Sequence, residues 1–273
     1  MVEATPVNHR AVGEAVNALA QVARRNRANQ DTIAQMGGIR PIVELIGQGV
    51  APDFVQRYAA LAVTEICRRN EPNQNAVAEI GAISQLVVLL RKSGIPSVDA
   101  EVAGALWTMS VNNPAIKVSI ASASAIEPLC KLLGSSDERA QSHAGSALAS
   151  LALDNVQNQM QEAGLLTGLL GSSIEKTQKL AAKALWRMVK ENPGSQTTIA
   201  KAGGAESLVR LLRDGSPGAK KYALWSLSLS IDKESQTTVS ETGGVKPLVV
   251  SLSSTNVTVT EQAASALAKL ATA

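Results

Sequence analysis

The chain has 273 residues, of which 45% are apolar, only 2% are aromatic and 18% are charged, and its formal net charge is +3. This small charge does not by itself indicate a nucleic-acid-binding protein, and no apolar run reaches the roughly 18 residues of a membrane span. Cys67 and Cys130 lie in apolar helical patterns and are expected to be buried reduced thiols. Because the start lacks a signal-peptide pattern, we expect a cytoplasmic protein, with the nucleus open as a second location.

The first predicted element is an Ala-rich helix at about Ala11–Arg25, and a three-part pattern follows it repeatedly. Each copy begins with a short polar-led segment, such as NQDTIAQMG from Asn29 or NQNAVAEIG from Asn73, whose first Asn or Ser is expected to cap a two-turn helix. A Gly that tolerates positive φ ends this segment, and an amphipathic helix such as Ile39–Ile46 comes next. After a polar turn, a third helix rich in Ala, such as EVAGALWTMS from Glu101, is predicted to lie at the centre of the stack.

The second part of the pattern, Gly-x-(Ile/Leu/Val)-x-x-Leu-(Val/Leu), returns about every 40 residues. Its clear copies are MGGIRPIVELI from Met36, IGAISQLVVLL from Ile80, AGGAESLVRLL from Ala202 and TGGVKPLVVSL from Thr242, and its weaker copies are ASAIEPLCKLL from Ala123 and AGLLTGLLGS from Ala163. A repeat of this length is typical of a solenoid, in which each unit packs only on its neighbours.

The pattern extends over the whole chain, 1–273, which is predicted to form a single domain of stacked repeats. Six full repeats are predicted at 28–70, 71–113, 114–154, 155–193, 194–233 and 234–273, after a partial repeat at 7–27. Ser124 replaces the usual Gly, and the repeat at 155–193 is about one helical turn shorter, so local irregularity is expected there. The sequence ends in SALAKLATA without a polar capping helix, so either this end is tolerated or the sequence is a piece of a longer protein.

The short–medium–long helix order, with Gly-Gly or Gly-Ala before the second helix and Ala-Leu-Trp in the third, closely resembles the armadillo repeat over nearly the whole chain. The resemblance implies an all-α fold, a right-handed α-solenoid (superhelix) of about six armadillo repeats plus a partial N-terminal repeat. It also implies a non-enzymatic protein–protein interaction scaffold or adaptor, which binds an extended segment of its partner in a concave groove lined by the third helices.

No residue pattern indicates catalysis, a cofactor or a metal. His9 and His143 have no Cys, Asp or Glu at metal-ligand spacing. Paired glycines such as Gly203-Gly204 are not followed by Lys-Ser/Thr and follow no strand, so a phosphate-binding loop is excluded. We therefore predict no catalytic residues, no cofactor and no metal site.

In the nuclear-import branch of the family, an Asn on each third helix holds the peptide backbone, and a Trp one turn earlier packs peptide side chains. The residues aligned with that Asn are Gln21, Glu65, Thr108, Ser150, Arg187, Ser226 and Lys269. Those aligned with the Trp are Asn17, Leu61, Gly104, Ser146, Lys183, Tyr222 and Ser265. Because neither the series of Asn residues nor the series of Trp residues is present, an importin-alpha-like nuclear import adaptor is disfavoured.

Basic residues concentrate between Lys176 and Lys221, where ten of them accompany three acidic residues, so this segment carries +7 and the remainder −4. Lys179, Lys183 and Arg187 are spaced at i, i+4 and i+8 and form one stripe on a helix. The alignment with the family predicts that this stripe faces the groove. The stripe is either a solvated basic face or a docking site for an acidic partner, as beta-catenin-like proteins would suggest. The predicted groove residues are Lys179, Lys183, Arg187, Lys221, Tyr222, Ser226, Ser146, Ser150, Thr108, Glu65 and Lys269.

Two further features allow two interpretations each. Trp107, Trp186 and Trp225 either pack between adjacent repeats or edge the groove as partner anchors. The pairs Arg24-Arg25 and Arg68-Arg69 either complement the negative ends of third helices or form a second docking patch.

Two other functions stay open at this point. One is a regulatory or targeting subunit of a larger assembly, which would use convex or end surfaces. The other is electrostatic attachment to anionic membranes or RNA, which would weaken steeply with salt. No sequence-specific nucleic-acid recognition is expected, and the oligomeric state is expected to be a monomer whose ends can stack.

Overall fold

The computed structural model describes residues 8–47, 51–152, 156–191 and 194–272. Throughout these ranges the regular structure is helical, with eighteen α-helices and no strand, so the all-α prediction is confirmed. No helix in them is long and apolar enough to cross a membrane. The chain divides into two compact units, Met1–Ser150 and Leu151–Ala273.

The first unit stacks helices of three alternating lengths. Its helices are α1 (His9–Ala23), α2 (Arg27–Gln35), α3 (Ile39–Glu44), α4 (Asp53–Cys67), α5 (Glu71–Glu79), α6 (Ala82–Lys92), α7 (Pro96–Ser110), α8 (Pro114–Ser122), α9 (Ile126–Leu132) and α10 (Glu138–Ala152). The third helices α1, α4 and α7 pack against one another in that order. A hydrogen bond of 2.9 Å from the Ser110 hydroxyl to that of Ser150 joins α7 to α10. The third helices therefore form the central layer of this unit, as their Ala content predicts.

The second unit repeats this arrangement from α12 onwards. Its helices are α11 (Val156–Leu169), α12 (Glu175–Glu191), α13 (Ser195–Lys201), α14 (Gly204–Asp214), α15 (Pro217–Ser230), α16 (Lys233–Glu241), α17 (Val245–Ser251) and α18 (Val257–Ala271). The third helices α12, α15 and α18 pack in sequence, and α14 and α17 lie against α15 and α18 respectively.

Small side chains in the third helices let these helices approach closely. In α4, for example, Ala59, Ala60 and Ala62 have no exposed surface. The thiols of Cys67 and Cys130 are also buried and form no disulfide, which confirms the prediction for both. Burial raises the pKa of Cys67 far above its ordinary value, because an apolar environment disfavours the thiolate.

The caps of the first helices lie earlier than the sequence analysis places them. Asn26 and Asn70 accept hydrogen bonds from the backbone N–H groups of Asn29 and Asn73, respectively. Asn29 and Asn73 are thus the third residues of their helices, and the prediction that they are the caps is wrong. The physical reason is that a capping side chain bonds the N–H three residues on, so the Asn of the cap must precede the helix.

The turn between first and second helices needs positive φ. Gly37, Gly203 and Gly243 adopt φ of +74°, +72° and +78°, which glycine tolerates because it has no Cβ. Ser124 keeps the same turn with φ of +59°, so its repeat retains separate first and second helices.

In the segment 155–193 this turn is lost. A single helix, α11, runs through Gly164, where the positive-φ turn would otherwise fall. The local irregularity predicted there is confirmed, but the prediction of three separate helices in each repeat is wrong for this one. A glycine permits the turn without imposing it, and here the helix simply continues.

Candidate partner-binding site

The part of the chain that the structure describes contains no group of three His, Cys, Asp or Glu residues that could hold a metal ion. His143 instead has a structural position. Its Nδ1 lies 2.8 Å from the carbonyl oxygen of Ala100, and its ring centroid lies 6.0 Å from that of Trp107. A Cβ on Gly104 would come within 2.9 Å of His143 Nδ1, so the glycine makes room for the imidazole between two third helices.

Three aromatic side chains meet where α12 packs against α15. The ring centroid of Trp186 lies 5.2 Å from that of Trp225 and 5.9 Å from that of Tyr222. Tyr222 and Trp225 stand edge to face at 5.5 Å. All three side chains are half-buried, so each ring packs between the helices and also reaches the surface. Aromatic pairs in this distance range attract each other beyond the area that they bury.

Lysine ammonium groups surround these rings. Lys221 Nζ lies 4.5 Å from the ring centroid of Trp225, and Lys190 Nζ lies 4.9 Å from that of Trp186. Lys183 Nζ lies farther away, 6.0 Å from the ring of Tyr222. We call the set Lys183, Trp186, Lys190, Lys221, Tyr222 and Trp225 the basic-aromatic cluster.

Among the side chains that the structure describes, no carboxylate forms an ion pair with a lysine of this cluster. The indole N–H of Trp225 is buried and has no acceptor there either. The three ammonium groups therefore have aromatic rings but no described carboxylate beside them, so their positive charge remains available to an anionic ligand.

Helical spacing explains why the cluster forms. Lys183, Trp186 and Lys190 follow at i, i+3 and i+7, and Tyr222 and Trp225 are three residues apart, so each set shares one helix face. Gly218 brings the two helices close, because a Cβ there would lie 3.1 Å from the side-chain Cδ of Lys179.

The structure gathers part of the predicted groove set around this cluster. Lys183, Lys221 and Tyr222 belong to it, Lys179 lies over Gly218 on the same helix pair, and Arg187 is half-buried on the same stripe. Lys190 is not in the predicted groove set, although its spacing of seven residues from Lys183 could have indicated it. Of the two interpretations of the tryptophans, packing between helices holds for Trp186 and Trp225, and both also keep exposed area that a partner could contact.

Other members of the predicted set are used inside the protein. The Ser226 hydroxyl is fully buried and donates to the carbonyl of Ala182 at 3.1 Å. Glu65 is buried, and both of its carboxylate oxygens accept hydrogen bonds of 3.1 Å from the guanidinium of Arg68. Thr108 is buried as well. Because the third helices approach so closely, these side chains stay among neighbouring helices.

The remaining three predicted residues are scattered over both units. Ser150 accepts the bond from Ser110, and Ser146 is half-buried. Lys269 donates from Nζ to the carbonyl of Leu229 at 3.2 Å, and burial lowers the pKa of its ammonium group. None of the three lies in the basic-aromatic cluster.

Comparison with known proteins agrees with the repeat pattern. The family description "Armadillo/beta-catenin-like repeat" matches residues 113–153 and 232–272. No curated protein matches the chain significantly.

Several solved structures share the fold. An engineered protein with 30% sequence identity has a TM-score of 0.70 over 98% of this chain, and the chain spans 66% of that protein's length. A second engineered protein has 28% identity and a TM-score of 0.65 over 86% of this chain and 97% of its own. A designed armadillo repeat protein in complex with the peptide (KR)4 has 24% identity and a TM-score of 0.64 over 84% of this chain and 98% of its own.

Proposed function

We propose that this chain, in which two segments match the armadillo repeat and whose fold resembles designed armadillo repeat proteins, is a non-enzymatic scaffold that binds an extended acidic segment of a partner protein over α12 and α15. The observation that carries the proposal is the basic-aromatic cluster, whose lysines lie over aromatic rings and form no ion pair with any carboxylate whose side chain the structure describes. Cytoplasmic location remains part of the proposal.

The chemistry of the cluster favours carboxylates over other groups. A lysine ammonium held over an aromatic ring retains donors that point away from the ring, and Asp or Glu side chains can accept from them. Trp186, Tyr222 and Trp225 supply apolar area that is already rigid, which lowers the entropy cost of binding. The designed armadillo repeat protein in complex with (KR)4 holds a basic peptide, so the two proteins would differ in the sign of the charge on the segment that they bind.

An apolar cleft adjoins the cluster and suggests what accompanies the acidic residues. It has a volume of about 410 Å³, and Leu224, Pro247, Val250 and Val259 line it. Lys221 belongs to both the cleft and the cluster. A partner segment that places an apolar side chain beside its carboxylates would therefore fill both surfaces.

Charge reversal tests the proposal. We expect Lys183→Glu with Lys221→Glu to weaken binding of the acidic peptide (DE)4 at least tenfold, measured by calorimetry at low salt, because attraction becomes repulsion. The matched control is Lys201→Glu with Lys233→Glu, which changes the net charge equally at two exposed positions outside the cluster.

Circular dichroism and thermal melting should match wild type for both variants, since all four positions are at the surface or half-exposed. If the cluster variant binds (DE)4 as tightly as the control does, the cluster is not the binding site.

A further inference from the structure

A second basic feature lies in the first unit, between the ends of α1 and α4 and the start of α2. Four arginines, Arg25, Arg27, Arg68 and Arg69, together with Gln30 line one cleft of about 570 Å³. We name this set the arginine cleft. It shares no residue with the basic-aromatic cluster of the second unit.

Two of the four arginines are held in place by the protein itself. The Arg27 guanidinium pairs with Asp31 at 3.1 Å and donates to the carbonyl of Arg69 at 2.9 Å. Arg68 makes its two bonds to Glu65. Their positions are therefore fixed before any ligand arrives.

The other two arginines have no internal task in the described ranges. Arg25 and Arg69 are exposed, and no carboxylate or carbonyl there accepts from either guanidinium. Complementing the helix end does not account for Arg69, because the last carbonyls of α4 already have donors. Gln30 donates to the carbonyl of Glu65 at 2.8 Å, and the side-chain amides of Asn73 and Gln74 donate to the carbonyls of Ile66 and Cys67 at 3.2 and 3.3 Å. Four guanidinium groups thus face only two carboxylates, those of Asp31 and Glu65.

The backbone at these two arginines is unfavourable for a large side chain. Arg25 and Arg69 have φ of +55° and +54°, in the left-handed region where Gly and Asn are preferred. The equivalent residue one repeat later is Asn112, with φ of +56°. The same turn can thus be made by a residue that suits it, yet the first two copies carry arginine. Strained backbone of this kind clusters at functional sites, so the two arginines point to a use for their side chains.

We propose that the arginine cleft is a binding site for a phosphate group. Guanidinium groups match phosphate oxygens with paired, charge-assisted hydrogen bonds, and a phosphate monoester carries nearly two negative charges at neutral pH. Arg27 and Arg68 provide pre-positioned donors, and Arg25 and Arg69 close on the phosphate from the surface. The phosphate belongs either to a phosphorylated peptide or to a small polyphosphate.

The test uses the full chain and three probes measured by calorimetry at fixed salt. These are a Gly-Ser peptide that carries two phosphoserines and no other charged side chain, its unphosphorylated twin, and tripolyphosphate. We expect at least one phosphate probe to bind and the unphosphorylated twin to bind at least tenfold more weakly. The phosphate probe that binds more tightly identifies the source. If neither binds, the proposal is wrong.

Substitution separates the site from general electrostatics. Arg69→Asn is expected to reduce phosphate affinity about tenfold or more while leaving the melting temperature equal or higher, because Asn suits the left-handed backbone. Arg24→Gln removes the same charge next to the cleft without touching its lining, and it should cost less than twofold.

An equal loss of phosphate affinity in both variants would show that general positive charge, and not the arginine cleft, binds the phosphate. Unchanged phosphate affinity in Arg69→Asn would also contradict the proposal. The Lys183→Glu, Lys221→Glu variant should retain phosphate binding, so this proposal and the proposed function can fail independently.

Discussion

At the scale of single residues, the close approach of third helices decides what a polar side chain can do. Ser226 and Glu65 occupy positions that the sequence alignment assigns to the groove, yet both are buried. An alignment gives the helix face of a residue, but it does not give the distance to the next helix. That distance depends on residues such as Ala182 and Gly218 on neighbouring helices, so burial at these positions could not be predicted from one repeat alone.

We predict that Ser226→Ala lowers the free energy of unfolding by about 1 kcal/mol, because the hydrogen bond to the carbonyl of Ala182 is lost inside the core. Affinity for (DE)4 should be unchanged, since this hydroxyl does not reach the surface. Denaturant unfolding and calorimetry on the same preparation measure the two quantities. A large loss of affinity with no loss of stability would contradict the structural role.

Asp99 is an exception within a regular pattern. Gln141 and Gln178 each donate from a third helix to the carbonyl six residues earlier, those of Ser135 and Ser172. Asp99 stands six residues after Ser93, and one of its carboxylate oxygens is buried without a hydrogen bond. Burial raises the pKa of Asp99, and a hydrogen bond from Ser93 only partly offsets this.

We therefore predict that Asp99→Gln stabilises the chain by about 1 kcal/mol at pH 7, because the amide can donate to the turn where a carboxylate cannot. The raised pKa sets the sign of the pH dependence. Below the unfolded pKa of about 3.9, Asp99 is neutral and its burial does not destabilise the wild-type chain. As the pH rises through the higher folded pKa, the carboxylate ionises and the wild-type chain loses stability. The stability gained by Asp99→Gln should therefore be smaller at pH 4 than at pH 7. Melting curves at both pH values test this, and a gain that grows in acid would contradict it.

At the scale of helices, glycine has opposite roles at equivalent positions. Gly203 adopts φ of +72° in the turn before α14, whereas Gly164 continues the helix α11. A Cβ would meet no atom within 4 Å at either position, so only the backbone distinguishes them. The repeat phrase predicted most turns correctly, but the weaker copy at Gly164 also fits the phrase. The continuous helix therefore could not be predicted from the local phrase.

We predict that Gly164→Ala raises the free energy of unfolding by about 0.5–1 kcal/mol, because glycine inside a helix costs conformational entropy. Gly203→Ala should lower it by about 1 kcal/mol, because alanine disfavours positive φ. Urea denaturation of the two single variants provides a matched comparison. Changes of the same sign in both would contradict the assigned backbone conformations.

At the scale of the whole molecule, the repeat period and the alternation of short, medium and long helices were sufficient to predict the all-α fold. The candidate partner-binding site was only partly predictable. The clustering of basic residues at 176–221 pointed to α12 and α15, where the basic-aromatic cluster lies, but the meeting of Trp186, Tyr222 and Trp225 depends on how these two helices pack. Contacts between residues about 40 positions apart follow from three-dimensional packing, which helical periodicity does not give.

Salt provides a prediction at this scale. If acidic segments bind mainly through the three lysines of the basic-aromatic cluster, affinity for (DE)4 should fall as salt rises, because exposed charges are screened. The aromatic contact area should leave residual affinity for a variant peptide that carries one Leu among its acidic residues. Titrations at low and physiological salt test this. A Leu-bearing peptide that loses as much affinity as (DE)4 would exclude a contribution from the apolar cleft.

The central claim is that acidic segments bind over α12 and α15, and tryptophan emission tests it most directly. In a Trp107→Phe chain the two remaining indoles, Trp186 and Trp225, both belong to the basic-aromatic cluster. We predict that (DE)4 changes their fluorescence in a saturable manner, that (KR)4 does not, and that Lys183→Glu with Lys221→Glu abolishes the response. Saturable binding of (DE)4 without a change in this emission, or an equal response to (KR)4, would contradict the account.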